Sequence, residues 1–591
     1  MTEGIGEYIR QARRQRNLTQ TELGGDRFSK SYVSAIERNK IPPSPDALKF
    51  FAEQLEQSED YFTTMFVQSE STGSLSSMNE LNLVSTGNRT IQEDELSLLD
   101  TLLENTEFHS FPVHYKQMPM LSPDAIALLP PAKQARYYFL LGLIAQENNS
   151  LSTALYALER ALMLAPARHY PAILDELGSN YYLAEAYQTA LNYYLRALYS
   201  LQKGSMNGTA VSLLFKVELH CGNAYRALGA YREACEHYER ARTYLNSQHD
   251  MKSAGILYWG LGYSTYELIQ QEMLLADPSK SNFAQEEIER QYQRAISLLM
   301  QGRGVYQVSG DRKGEATVRL TIALVMLDYS RWRRGIFAAR TNDGVKRSAF
   351  NMTSLLQDAE EECRQVLMDW EELSRDADSS SFELDPTIYV ALAYLVRVYV
   401  ERASLSRLDG YNDTANRERA VASYLCQEML NSFSGEDFLG THLQNALAMD
   451  VQSLTYLSPS LPHFPELSDG TIKVSRSPIG QTELFYAVGT VAEELGRSAT
   501  KQQYARDCYT RADQFYQAAL DGARAVIASR ESDPGYLIRC YQRCVAMLEE
   551  RIEAAPDLYE EGTNSLLSLL KNALYQLQFP LLPLAREVEM S

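Results

Sequence analysis

The sequence predicts an all-α protein in which a small five-helix head is joined by a flexible linker to a long array of helical hairpins. Leu, Ala, Glu, Gln and Arg, which favour helices, dominate the 591 residues, and few runs alternate apolar and polar residues as strands do. Two short capped helices are readable near the N-terminus. Farther along, Gly142, Gly178, Gly222 and Gly262 recur at intervals of 36, 44 and 40 residues, which indicates repeated units.

The two N-terminal helices are separated by a tight Gly-Gly-Asp turn. Thr19 precedes the first helix and Glu22 follows three residues later, which is the spacing of a capping box. The second helix follows Ser29 and places Val33 and Ile36 on one apolar face. Two short helices at this separation form a helix-turn-helix, whose second helix can enter the major groove of DNA.

The segment from Ile5 to about Phe66 resembles the lambda-repressor/Cro-type domain, also called the XRE family. The residues that carry the resemblance are Ile5, Gly6, Ile9, Arg10, Arg13, Leu18, Thr19, Gln20, Leu23, Ser29, Ser31, Tyr32, Val33, Ser34, Ile36, Glu37, Arg38, Pro43 and Ser44.

The resemblance implies a DNA-binding surface around the second helix. Gln20 would hold a backbone phosphate, and the second helix would present its short or basic side chains to base edges. The predicted DNA-binding residues are Gln20, Ser29, Lys30, Ser31, Ser34, Ala35, Arg38 and Lys40. Arg13 and Glu37 would form an internal ion pair that locks the first helix of the head to the recognition helix.

Charge is distributed unevenly along the chain. The net charge of -20 argues against non-specific nucleic-acid binding by the whole protein. Residues 1–40, however, contain eight Lys and Arg residues against five acidic ones. Duplex DNA is therefore expected to meet the N-terminal end and to be repelled by the remainder. The alternative is a head that mediates only protein contacts.

From Ala135 onward the chain resembles tetratricopeptide repeats. At the positions where these repeats alternate large and small residues, the first unit has Tyr138, Leu141, Gly142, Ala154, Leu158, Ala161 and Pro166. Small residues let two helices approach closely, and large residues fill the holes between hairpins. The resemblance implies an α-solenoid in which the first helix of each hairpin lines the inner surface.

Composition and repeat spacing predict the domain limits. Residues 1–67 form the head, and residues 68–134 form a linker and an irregular approach, of which 68–90 are rich in Ser, Thr, Asn and Gly. Residues 135–310 contain the tetratricopeptide repeats. Residues 311–591 contain degenerate helical repeats that end in capping helices.

The inner surface of the third and fourth repeats carries the candidate residues for binding a peptide or a protein partner: Asn223, Arg226, Trp259, Tyr263 and Tyr266. An Asn side chain can bond both the N–H and the C=O of an extended peptide, and Arg can hold a carboxylate. Aromatic rings can clamp side chains. The alternative for each aromatic residue is packing between hairpins.

Signals of catalysis, metal binding and membrane insertion are missing from the sequence. It contains no phosphate loop, no Gly-x-Ser-x-Gly and no His-Glu-x-x-His motif. The eight histidines are not clustered, and the seven cysteines include no Cys-x-x-Cys, so no catalytic site, metal or cofactor is expected. Cys540 and Cys544 are interpreted as buried thiols. Without a long apolar run or a leader, a cytoplasmic protein with no membrane partner is expected.

An XRE-type head on a tetratricopeptide body resembles bacterial transcriptional regulators, some of which are receptors for short signalling peptides. The predicted function is a sequence-specific DNA-binding regulator whose repeats sense a peptide or a protein partner. A homodimer is expected, because repressor-type heads engage two half-sites. One alternative is a tetratricopeptide scaffold or adaptor whose head does not read DNA. An enzyme with an unrecognised site is another, against which the missing catalytic motifs argue.

Overall fold

Helices form both units into which the chain divides in the computed structural model. One unit comprises residues 1–106 and 112–130, and the other comprises 107–111 and 131–591. The structure describes residues 9–10, 12–14, 16, 18–25, 27–28, 30–37, 50–51, 54–55, 99, 101–103, 116, 118–121, 123–202, 208–245, 251–275, 282–340, 348–376, 386–432, 459–462, 478–529, 534–554 and 561–578.

The first unit contains α1 (Gln20–Gly24), α2 (Lys30–Glu37) and α3 (Pro123–Ala127). The predicted capping box is confirmed: the Glu22 backbone N–H donates to Thr19 Oγ1 at 3.2 Å, and the Thr19 N–H donates to Glu22 Oε2 at 2.6 Å. Gly25 ends α1 with φ +53°, a left-handed conformation that glycine adopts without steric cost. The other helices of the predicted five-helix head lie partly or wholly outside the described residues.

A small hydrophobic core holds the helix-turn-helix together. Its buried residues are Ile9, Ala12, Leu23, Val33, Ile36, Phe51 and Leu55, with Leu18, Phe28 and Phe50 packed at its edge. Val33 and Ile36 are fully buried, as the apolar face of the second helix predicts. This packing fixes α2 by its inner face, and Lys30 in its first turn is exposed.

The second unit is a succession of paired helices. The first four pairs are α4 (Pro131–Glu147) with α5 (Leu151–Leu164), α6 (Tyr170–Leu183) with α7 (Tyr187–Gln202), α8 (Gly208–Ala227) with α9 (Tyr231–Tyr244), and α10 (Met251–Leu275) with α11 (Asn282–Ser309). The next four are α12 (Arg312–Arg340) with α13 (Ser348–Asp376), α14 (Pro386–Leu408) with α15 (Asn412–Ser432), α16 (Pro478–Ser498) with α17 (Gln502–Ser529), and α18 (Pro534–Ala554) with α19 (Glu561–Gln578). First helices of successive pairs from α6 to α16 also touch one another.

Several pairs are closed by a glycine of the first helix that meets a large side chain of the second. These contacts are Gly142–Leu158, Gly178–Tyr194, Gly222–Tyr238, Gly262–Leu299 and Gly489–Tyr516. A Cβ atom built on Gly178 would lie 2.5 Å from the Tyr194 ring, so only glycine allows this approach. The alternation of small and large residues in the sequence thus predicts how the helices pack, and the all-α helical-repeat fold is confirmed.

The core of the repeats continues beyond residue 310 without a break. One cluster of buried side chains extends from Tyr263 to Leu574, so the degenerate repeats share a core with the fourth pair. Cys540 and Cys544 are buried in it, as expected, and burial raises the pKa of the Cys540 thiol to about 12. No described helix combines the length and apolarity needed to cross a membrane.

Candidate DNA-binding and ligand-binding sites

The recognition helix α2 presents part of the predicted DNA-binding set. Lys30 is exposed at its first turn and Ser34 is half-buried one turn later. Ser31 and Ala35 belong to the same helix. The remaining predicted contacts Ser29, Arg38 and Lys40 lie outside the described residues.

Gln20 stands at the start of α1, where its side chain meets the end of α2. Its Nε2 donates a hydrogen bond to Glu37 Oε2 at 2.7 Å. The amide therefore braces the two helices of the motif in the free protein. The predicted phosphate contact of Gln20 stays a prediction, and it requires the amide to share its donors between Glu37 and DNA.

Arg13 and Glu37 lie in contact inside the head. Arg13 Nε pairs with Glu37 Oε1, and Nη2 donates a hydrogen bond to Glu37 Oε2 at 2.9 Å. Nη1 donates to the Leu18 carbonyl at 2.7 Å. Burial alone would raise the pKa of Glu37, but the hydrogen bonds from Arg13 and Gln20 and the charge of Arg13 outweigh burial and lower it. The hydrogen bond to Glu37 in turn raises the pKa of Arg13.

Most of the candidate residues of the body form a continuous row along α8 and α10. The Arg226 guanidinium lies 4.8 Å from the centre of the Trp259 ring, and Trp259 stacks on Tyr263 at 5.6 Å. Tyr263 and Tyr266 follow at 6.5 Å between ring centres. The structure therefore brings four of the five predicted residues into one aromatic row, which is defined here as Arg226, Trp259, Tyr263 and Tyr266.

The fifth candidate, Asn223, and the row itself also pack internally. Asn223 Oδ1 accepts a hydrogen bond from the Tyr238 hydroxyl at 2.8 Å. Trp259 Nε1 donates to Thr321 Oγ1 at 3.1 Å, and Tyr263 and Tyr266 are 8% and 1% exposed. These side chains therefore already pack and hydrogen-bond inside the protein, and their role in binding a ligand is a proposal.

A cavity of about 440 Å³ opens at the Tyr266 end of the row. Its walls come from α10, α11, α12 and α18, and the residues that line it are Tyr266, Gln270, Met273, Tyr292, Asp328, Arg331, Trp332, Gly335, Arg539, Gln542, Arg543, Ala546 and Glu550. Three aromatic rings therefore face three arginines and two carboxylates across this space. Such a mixture of apolar walls and few polar groups is typical of ligand pockets.

Helix α18 forms ion pairs with the first helices of three other pairs, α10, α12 and α16. Arg539 pairs with Glu267 of α10 at 2.9 Å, and Arg543 pairs with Glu483 of α16 at 3.1 Å. Glu550 contacts Arg331 of α12 at 3.3 Å and also Arg334. Arg334 in turn pairs with Glu401 of α14 at 2.7 Å.

Reasoning from the sequence missed the cavity residues other than Tyr266. Arg539, Arg543 and Arg551 stand at four-residue and eight-residue intervals in α18, so they lie on one side of the helix. Basic side chains at that spacing, in a helix interpreted only as a cap, are the signal from which buried acidic partners could have been predicted. Among the residues that the structure describes, no cluster of His, Cys, Asp and Glu could hold a metal ion.

Comparison with known proteins identifies the head. Residues 9–62 match the family described as Helix-turn-helix, so the chain carries a helix-turn-helix domain at its N-terminal end. No curated protein sequence matches the chain.

Three solved structures share a low level of sequence identity with the chain. PlcR of Bacillus thuringiensis, in complex with the peptide PapR7 and DNA, is 15% identical, with 54% of this chain and 99% of that chain covered and a TM-score of 0.25. A PrgX mutant is 15% identical, with 53% and 91% covered and a TM-score of 0.20. A bacterial peptide pheromone/receptor complex is 14% identical, with 53% and 95% covered and a TM-score of 0.20.

Proposed function

We propose that this protein is a sequence-specific DNA-binding transcriptional regulator whose helical-repeat body binds a peptide or a protein partner. The observation that carries the proposal is the helix-turn-helix domain over residues 9–62, whose recognition helix is anchored by buried Val33 and Ile36. A helix fixed by one face, with Lys30 exposed on another, is arranged to enter a major groove.

Electrostatics supports a defined orientation on DNA. The first 40 residues carry an excess of basic residues, whereas the whole chain has a net charge of -20. Phosphate attraction is therefore concentrated at the head, and the acidic body is repelled from the duplex. Contacts from Ser29, Lys30, Ser31, Ser34, Ala35, Arg38 and Lys40 to DNA form part of the proposal.

The body supplies the sensing surface of the proposed regulator. The aromatic row offers the half-buried Trp259 ring and Arg226 guanidinium, which lie 4.8 Å apart, and Asn223 stands one turn from Arg226. The Asn223 amide nitrogen can donate to a peptide carbonyl while its oxygen holds Tyr238. An extended peptide laid beside these residues would therefore find one amide, one cation and the apolar face of Trp259.

A homodimer completes the proposal. One short recognition helix contacts few base pairs, and heads of this kind gain affinity and specificity by engaging two half-sites about one helical turn apart. Linking two heads converts the second contact into an intramolecular one, which raises the effective concentration. The repeat body is the proposed source of the dimer contact.

Capture of genomic DNA by the full-length protein, followed by sequencing, tests the function. The regulator hypothesis predicts enrichment of a few sites that share an inverted repeat. The alternative, a scaffold whose head does not read DNA, predicts no shared motif. Lys30→Ala is the informative variant, and Lys252→Ala, which removes an exposed lysine from α10 of the body, is the matched control.

A further inference from the structure

The cavity between α18 and the helices α10, α11 and α12 has the size of a ligand site. Its volume of about 440 Å³ falls within the range of roughly 300–1,000 Å³ that small-ligand pockets occupy. Gly335 and Ala546 line it and are exposed, so the cavity opens to solvent where these two small residues lie.

One wall of the cavity is aromatic. Tyr292 lies 5.9 Å from Trp332 between ring centres, and the Tyr292 hydroxyl accepts a hydrogen bond from Gln270 Nε2 at 2.8 Å. Tyr266 adds a third ring, which is 1% exposed and fixed by its hydrogen bond to Asp328. Tyr292 is 0% exposed, so the two tyrosine rings are closed to a ligand, and the half-buried Trp332 ring is the one that can receive an aromatic or branched side chain by offset or edge contact.

The charged groups of the cavity are already satisfied within the protein. Asp328 accepts hydrogen bonds from the Tyr266 hydroxyl at 2.5 Å and from Arg397 at 2.9 Å. Arg539 pairs with Glu267, and Glu550 pairs with Arg331. A charged ligand group would have to break one of these pairs and leave a buried charge without its partner, which is strongly unfavourable.

The ionisation states of Tyr266 and Asp328 agree with these hydrogen bonds and ion pairs. Burial raises the pKa of Tyr266 well above its usual range, so its hydroxyl keeps the proton that it donates to Asp328. Burial alone would raise the pKa of Asp328, but the charges of Arg543 and Arg397 outweigh burial and hold it below its usual value. Asp328 is therefore a carboxylate with its acceptor capacity directed at protein donors.

One polar side chain in the cavity is left available. Gln542 lines the space from α18 and makes no hydrogen bond to any other residue that the structure describes. An amide side chain both donates and accepts, so it matches the N–H and C=O groups of a peptide backbone. A ligand with an apolar side chain beside a peptide bond would satisfy Gln542 and cover the aromatic wall at once.

We propose that this cavity binds an uncharged apolar stretch of a peptide, with an aromatic or branched side chain against Trp332 and its backbone amide bonded to Gln542. The inference rests on the proposed function in taking the partner of the body to be a peptide. It goes further by specifying that the peptide residues inside the cavity are uncharged and apolar. It also makes α18 a wall of the site, so that ligand binding depends on the C-terminal helices.

The test uses a capped dipeptide amide, N-acetyl-Leu-Phe-amide, with the full-length protein, and ligand-observed NMR to detect weak binding. Gly335→Leu adds a side chain to the cavity at a position where a Cβ meets no atom within 4 Å, so the fold can accept it. Gly304→Leu is the matched control, because that helical glycine is equally open but does not line the cavity.

The probe is expected to bind the parent and Gly304→Leu equally, and Gly335→Leu about tenfold more weakly, which corresponds to ~1.4 kcal/mol. Gln542→Ala should weaken it too, and N-acetyl-Glu-Glu-amide should not bind the parent. Equal binding to the parent and Gly335→Leu, no binding to the parent, or equal binding of the acidic probe would each overturn the assignment. Capture of genomic DNA by the same preparations reports separately on the proposed function, since none of these substitutions touches the head.

Discussion

Gly222→Ala tests whether close approach of paired helices holds the repeats together. A Cβ at position 222 would lie 2.6 Å from two ring atoms of Tyr238. Carbon atoms in contact prefer about 3.5–4.0 Å, so the ring would have to retreat by roughly 1 Å. The ring is confined on its other side as well, because it lies so close to Gly260 of the next pair that a Cβ built there would be 2.6 Å from it.

The size of the effect follows from two opposing terms. Overpacking of a buried site costs about 1–3 kcal/mol. Replacing a helical glycine with alanine stabilises the helix by roughly 0.5–1 kcal/mol. Gly304→Ala isolates the second term, since a Cβ there meets nothing within 4 Å. The difference between the two variants is therefore expected to be the overpacking term alone, about 1–3 kcal/mol.

Hydrogen exchange measured by mass spectrometry resolves this difference locally, which suits a long repeat chain that need not unfold in one step. Each variant is compared with the parent in the peptides of its own pair, α8 and α9 for Gly222→Ala and α10 and α11 for Gly304→Ala. Relative to the change in Gly304→Ala, exchange in Gly222→Ala should be faster by about tenfold for each ~1.4 kcal/mol of overpacking. Equal changes in the two variants would refute the argument that the Gly222–Tyr238 contact sets the spacing of the pair.

Three further predictions concern the head, the assembly and the sensing row. Glu37→Ala leaves Arg13 without its buried partner and should lower the free energy of unfolding of the head by roughly 3–5 kcal/mol, seen as faster hydrogen exchange in α1 and α2. Because folding lowers the pKa of Glu37, the parent should keep this stability above the unfolded-state pKa of about 4.3 and lose it as pH falls through the folded-state pKa. Unchanged hydrogen exchange in α1 and α2 after either the substitution or the fall in pH would exclude a structural pair. Light scattering of the full chain should give a dimer, and a monomer both with and without operator DNA would contradict the proposed assembly. Asn223→Ala should abolish calorimetric binding of a peptide that co-purifies with the parent, leaving operator affinity unchanged; undiminished binding would remove Asn223 from the site.

Local patterns in the sequence were sufficient to predict the helix-turn-helix and the packing within repeats. The capping box at Thr19 and Glu22 depends on residues three apart, and the burial of Val33 and Ile36 follows from one helical face. The contact between Gly222 and Tyr238 follows in the same way from a repeat register. All of these features are encoded within about one hairpin, so periodicity and propensity reveal them.

The cavity could not be predicted because its walls are distant in sequence. Arg331 and Glu550, which meet beside it, are 219 residues apart, and nothing in the local pattern of either helix specifies the other. Gln20 illustrates the same limit on a smaller scale. Its place in the motif indicates a phosphate contact, but only the folded head shows that its amide also bonds Glu37.

Operator affinity of Lys30→Ala, measured beside Lys252→Ala at one fixed salt concentration, tests the central claim most directly. The affinity is to be measured on the inverted repeat that the full-length protein enriches from genomic DNA. If α2 reads base edges, Lys30→Ala should lose about 1–3 kcal/mol of binding free energy and relax specificity at one position, while Lys252→Ala binds as the parent does. Equal affinity of the two variants for that operator would contradict the claim that the recognition helix reads DNA through Lys30.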